Sequence, residues 1–142
     1  MDEVTLLGPY PISLNKYLRI CNNRNFRTKE ANEFKDKFQQ LARNAGITEP
    51  MDGFVEVDIV IYPKMTKTCT KLAKKDPLYY LKIQCLDVDN CLKVLLDSFN
   101  KIIYTDDKKI VKLSISKGIP YCEEGATKIT IKKINEADYS TK

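Results

Sequence analysis

The stretch from Phe54 to Tyr62 constrains this chain most. Val55, Val57, Ile59 and Ile61 fall on one side, while Glu56 and Asp58 fall on the other. Side chains alternate across a strand, so this segment reads as a strand with one face buried. Pro63 ends it. Two stretches with a helical period flank it. In the first, Ala31, Phe34, Phe38, Leu41, Ala42 and Ala45 recur at helical spacing, with Thr28 placed as N-cap and Gly46 just past the end. In the second, Leu92, Leu95, Leu96 and Phe99 form the apolar face of a helix capped by Asp87 or Asp89 and running to about Asn100.

The remaining segments complete the frame. Val4 to Leu7 reads as a first strand stopped by Gly8-Pro9, and Pro9, Pro11 and Ser13 disfavour helix until past Asn15. Asn22 to Arg27 is polar and basic and reads as loop. Lys64 to Asp76 is a lysine-rich insertion closed by Pro77, and Tyr79, Leu81, Ile83 and Cys85 then alternate with Tyr80, Lys82 and Gln84 as a short strand or extended arm. Two further strands are expected. One covers Ile110 to Lys117, with Val111, Leu113 and Ile115 on one face. The other covers Thr127 to Ile134, and Glu123-Glu124-Gly125 forms the turn between them. The order is β-α-β-α-β-β. It predicts an α+β single domain over residues 1–134, with a mixed sheet, a basic insertion before the second helix and a polar tail over 135–142.

Composition narrows the chemistry. A chain of 142 residues, 43% hydrophobic and 30% charged, is long enough to bury a core without staples. There is no histidine. That removes Ser-His and Cys-His catalysis, most zinc enzymes and the usual general base. The five cysteines form no C-x-x-C pair, so free thiols in a reducing compartment are expected. The acidic start at Met1-Asp2-Glu3 lacks the charge and apolar pattern of a signal peptide, and no apolar run approaches the roughly 20 residues of a membrane span. An intracellular protein without a membrane partner is the expectation. The net charge of +5 suits a polyanionic partner and suits a plain solvated surface equally well.

Against that basic background, carboxylates gather in one stretch: Asp87, Asp89 and Asp97, then Asp106-Asp107, with Asn90 and Lys93 among them. Asp89, Lys93 and Asp97 form a stripe beside the apolar face of the second helix. Hard cations such as Mg²⁺ take a few carboxylates plus water and substrate phosphate. Asp107 could return to the helix start if the following strand runs beside it. A metal and a lysine together could hydrolyse a phosphodiester without any histidine. The same residues also read as ordinary structure: helix caps, an i, i+4 ion pair and a turn before a strand. Spacing alone leaves both readings open. An EF-hand is excluded, because its glycine position falls on Leu92 and its terminal glutamate position on Ser98.

The run Asp87, Asp89, Asn90, Lys93, Asp97, followed by Asp106-Asp107 and a strand, resembles the RusA family of Holliday junction resolvases. Pro11, Ser13, Asn15 and Tyr17 look like the P-S-x-N-x-x-Y segment of the same family, and the likeness covers most of residues 4 to 134. The resemblance implies a small homodimeric, Mg²⁺-dependent endonuclease, with Mn²⁺ as a substitute ion, that places paired nicks across four-way DNA junctions in recombination and repair. It implies Asp87, Asp89 and Asp107 as metal ligands and Lys93 as catalytic lysine. It further implies a setting in the bacterial cytoplasm, chromosomal or phage-encoded. There are two departures: Leu86 precedes the motif where family members can carry a compact arginine-rich stretch, with the basic residues here lying farther back, and the interval from Lys93 to Asp107 is one residue shorter than in a known member.

DNA-contacting candidates are therefore Lys64, Lys67, Lys71, Lys74, Lys75 and Lys82, with Asn15, Lys16 and Arg19 as a second group. A protein that keeps the fold and binds DNA or a partner without cutting is the alternative. A nucleotide-processing enzyme is disfavoured, since the five glycines form no phosphate-binding loop.

Overall fold

The structure, a computed structural model, describes residues 3–11, 18–21, 24–27, 29–81 and 88–134, with backbone alone at 18–21, 24–27, 80 and 88–91. In chain order the elements are β1 (Glu3–Gly8), β2 (Leu18–Cys21), β3 (Arg24–Arg27), α1 (Lys29–Asn44), β4 (Val55–Tyr62), α2 (Lys67–Ala73), a 3₁₀ turn at Tyr79–Leu81, α3 (Val88–Phe99), a second 3₁₀ turn at Asp107–Lys109, β5 (Ile110–Lys117) and β6 (Ala126–Lys133). A mixed four-stranded sheet has the order β1-β6-β4-β5. β6 runs antiparallel to both β1 and β4, whereas β5 runs parallel to β4. The α+β class and the mixed sheet are as expected.

The alternation in β4 decides which face is covered. Val55, Val57, Ile59 and Ile61 are buried, and on β6 Ile129 and Ile131 lie beside them in register. Val4 and Leu6 of β1 extend the same face. α1 contributes Ala31, Phe34, Phe38 and Ala42, and α3 contributes Val94, Leu95 and Phe99. Phe38 stands edge-on to both Phe34 and Phe99, each at 5.0 Å between centroids, and so links the helices. It also lies so close to Gly8 that a Cβ there would meet its ring at 2.4 Å, which is why β1 ends on a glycine. On the opposite face Glu56 and Asp58 stay accessible, and the Ser114 hydroxyl donates to Asp58.

α1 ends as its sequence predicts. Gly46, at φ 94°, donates to the Arg43 carbonyl at 3.0 Å, and Ile47 donates to Ala42 at 2.9 Å. That is a Schellman closure, which needs a residue tolerant of the left-handed region. Thr28, the expected cap at the other end, lies outside the described residues.

Three expectations need correcting. The segment read as loop at Asn22–Arg27 instead supplies β3, paired with β2 as an antiparallel hairpin in which Leu18 faces Arg27 and Cys21 faces Arg24. The lysine-rich insertion is not simply loop. It holds α2, capped by Thr66, whose hydroxyl accepts from the Cys69 amide at 3.1 Å. Only Cys69 of that helix is buried, so no apolar periodicity announced it. Third, Tyr79–Leu81 form a 3₁₀ turn rather than the start of a strand, and the rest of that alternation lies outside the described residues. The expected tail at 135–142 is also outside them.

Phe38→Ala should destabilise the fold by roughly 3–5 kcal/mol, since it empties the junction between α1, α3 and β1. Urea unfolding checks this, and a loss below about 1 kcal/mol would contradict the packing described.

Candidate active site

Parallel strands cannot be joined by a hairpin, so the chain must cross back from the end of β4 to the start of β5. The α2 unit occupies the far end, where Met65 donates to the Cys122 carbonyl at 2.9 Å. α3 makes the return. Its last turn is tied to the near end, where the Met51 amide donates to Ile103 at 2.7 Å and Tyr104 bridges both Met51 and Asn100. Ile110 then pairs with Val55 at the start of β4. The last turn of α3 and the Asp106-Asp107 corner are therefore neighbours at the near end, and the backbone of Asp89 belongs to the first turn of the same helix.

Tyr104 organises the near end. It is fully buried, and its hydroxyl donates to the Leu96 carbonyl at 2.9 Å. Burial raises its pKa well above that of an ordinary phenol, and the charges of Asp107, Asp97 and Asp106 raise it further. Three carboxylates thus lie within electrostatic reach of one phenol, and Asp97 is half-buried on α3 among them. Sequence reasoning missed Tyr104. Its signal was its place two residues before Asp106 in the apolar run Ile102-Ile103-Tyr104.

Asp106 and Asp107 form a carboxyl pair. The Lys108 amide donates to Asp106 Oδ1 at 3.0 Å, which caps the 3₁₀ turn and holds Asp106 below the usual carboxylate range. A hydrogen bond between the two carboxyls lowers Asp106 further and is the main reason that Asp107 is raised. Asp107 is exposed. Two carboxylates that share a proton can accept a cation in its place, and an all-oxygen, water-accessible donor set fits a hard ion such as Mg²⁺. Among the described residues no three acidic or thiol side chains converge as a complete metal cage. Asp87 and the side chain of Asp89 are not among those residues.

The other predicted residues fall as follows. Lys93 is exposed on α3, one turn from Asp89 and one from Asp97. Asp89 lies eight residues before Asp97, roughly 12 Å along the helix axis. Lys67, Lys71, Lys74 and Lys75 are exposed on the α2 unit, and Lys64 places its ammonium 5.3 Å from the Tyr10 ring centroid. Arg19 has its backbone in β2. Asn15, Lys16 and Lys82 lie outside the described residues. A hollow of about 720 Å³ lies at the far end of the sheet between Pro9, Tyr10, Lys64, Tyr121 and Gly125, and holds none of the acidic candidates.

Comparison with known proteins adds the decisive observation. The family model of the endodeoxyribonuclease RusA matches residues 9–132, a span that contains every acidic candidate and Lys93. The chain belongs to the RusA endodeoxyribonuclease family. It is also 31% identical over 87 residues to YqaN of Bacillus subtilis (strain 168), a protein described as uncharacterised. That match covers 58% of this chain and 60% of YqaN, so the chain spans about three fifths of the relative it matches. The match places the acidic candidates and Lys93 inside the family's domain on a chain that has no histidine. Among the described residues no helix is long and apolar enough to cross a membrane.

The carboxyl pair has a measurable consequence. In the metal-free protein, carboxyl ¹³C shifts followed against pH should place Asp107 above the ordinary aspartate value and Asp106 below it. As pH falls, Asp107 therefore takes its proton earlier than an isolated aspartate would, and the site loses cation affinity at a correspondingly higher pH. Asp106→Asn should bring Asp107 back down, because it removes both the like charge and the competing acid. Ordinary, independent titration of both groups would contradict the pairing.

Proposed function

We propose that this protein resolves four-way DNA junctions by paired, Mg²⁺-dependent nicks, working as a homodimer. The observation that carries the reading is the family match over residues 9–132, within which Asp87, Asp89, Lys93 and Asp107 are all present. Asp87, Asp89 and Asp107 are the residues that would hold the ion. When bound, Mg²⁺ neutralises phosphate charge and lowers the pKa of the attacking water.

The chain's own groups supply the rest. Lys93 is exposed on the stripe between Asp89 and Asp97, where its ammonium can donate to a phosphate oxygen as charge builds on it. The Asp106 carboxylate, tied to the Lys108 amide, fixes the corner that presents Asp107. Exposed lysines on the α2 unit offer phosphate contacts that position DNA without reading sequence. Each subunit carries one such set of residues, whereas resolution takes two symmetric cuts. A twofold dimer is the arrangement that provides both.

The test is cleavage of a synthetic four-way junction beside linear duplex and single-stranded controls. The protein should nick opposing strands of the junction symmetrically with Mg²⁺ or Mn²⁺ and leave the controls largely intact. Asp89→Asn should bind the junction without cutting it, and Lys93→Ala should slow cutting by about 10²–10³-fold. Failure to cut any branched DNA with either ion would refute the reading.

A further inference from the structure

Three large hydrophobic side chains lie exposed within ten residues of the α2 unit: Leu72 at 37%, Leu78 at 53% and Leu81 at 59%. This is not a loosely held segment. Thr66 caps α2, Lys75 and Asp76 both donate to the Leu72 carbonyl at 3.0 Å, and Asp76 Oδ1 accepts from the Leu78 amide at 3.0 Å. The Tyr79 and Leu81 amides close the following turn on Asp76 and Leu78. Cys69 and Tyr79 are buried and anchor the unit. Hydrogen bonds thus hold a short platform that turns two anchors inward and three leucines outward.

The surroundings of those leucines are cationic. Lys67, Lys71, Lys74 and Lys75 are exposed on the same unit, and Asp76 is the single acid between Asp58 and Asp87. A twofold contact between two such platforms would set lysine against lysine. Intact duplex offers phosphates but keeps its base faces stacked inside. The branch point of a junction offers both once its arms are pulled apart, since the base pairs at the crossover have no continuous duplex on both sides to hold their stacking, and an apolar wedge can take the place of the lost stacking partner. The platform also stands close to the catalytic motif in the chain, with Leu81 six residues before Asp87.

We propose that the Thr66–Leu81 platform is a branch-point wedge. Leu72, Leu78 and Leu81 insert among the bases at the crossover, while Lys67, Lys71, Lys74 and Lys75 hold the flanking phosphates. The proposal rests on the junction-cutting reading and extends it, since it assigns the choice of branched over linear DNA to three leucines rather than to the acidic site. In such a division the lysines supply affinity that falls with salt, and the leucines supply selectivity.

The test uses the full chain, Ca²⁺ in place of Mg²⁺, and a four-way junction with 2-aminopurine beside the crossover. Binding should raise the fluorescence several-fold as the base unstacks. The triple variant Leu72→Ser/Leu78→Ser/Leu81→Ser should lose that signal and bind the junction about tenfold more weakly, with linear-duplex affinity nearly unchanged. Leu81→Ser alone, at the most exposed position, should show part of the same loss while melting with the unsubstituted protein. Changing the four lysines to glutamine should weaken junction and duplex alike and flatten the salt dependence.

A triple variant that keeps the signal overturns the wedge, as does an equal loss on junction and duplex. A change in particle mass on replacing the leucines would assign them to a protein interface instead. Binding to phosphatidylserine vesicles that is lost in the leucine variant, with junction binding intact, would assign them to a membrane surface. A protein that nicks junctions yet leaves 2-aminopurine silent overturns the wedge and spares the endonuclease reading. A protein that binds no junction overturns both.

Discussion

The parallel pairing of β4 with β5 is the constraint on which the rest of the molecule depends. Parallel neighbours force a crossover, and the acidic candidates, Lys93 and the α2 lysines all belong to that crossover. The α2 platform turns the chain at the far end, α3 carries it back over the core face, and the Asp106-Asp107 corner turns it into β5. Packing of Val94, Leu95 and Phe99 against the sheet and α1 fixes the helix, and so fixes the stripe that bears Asp89, Lys93 and Asp97. The core is therefore what sets the spacing of the site.

That arrangement explains why much of the fold was legible in the residues and some of it was not. β4, α1 and α3 each bury one face over two or more turns or four alternating positions, and burial imposes a period that sequence displays. α2 buries only Cys69 and the hairpin β2–β3 has four residues in each strand, so neither imposes a pattern long enough to read. β5 shows the opposite case. Val111, Leu113 and Ile115 alternate as expected, yet Val111 is 49% and Leu113 37% exposed, whereas Val4 and Leu6 on the other edge strand, β1, are buried. Alternation marks a strand and does not say how well its face is covered.

The acidic candidates show the same division between local and long-range information. Their residue types and the absence of histidine pointed to oxygen-ligand chemistry, and all of them lie within the span of the RusA family match. The hydrogen-bonded Asp106-Asp107 pair and its link to Tyr104 depend on how the corner folds back on α3, which no local pattern encodes. Asp89 belongs to the first turn of α3 and Asp107 to the corner after its last turn. A single ion served by both would tie the start of α3 to the start of β5, and the rest of the proposed chemistry follows from that link.

Localised radical cleavage tests it most directly. Fe²⁺ bound in place of Mg²⁺ generates hydroxyl radicals in the presence of ascorbate and peroxide, and these cut the polypeptide close to the ion. With the unsubstituted protein, cuts should appear both near residues 87–90 and near residues 106–108, and excess Mg²⁺ should suppress the two together. Cuts at one of these segments without the other would contradict a shared ion.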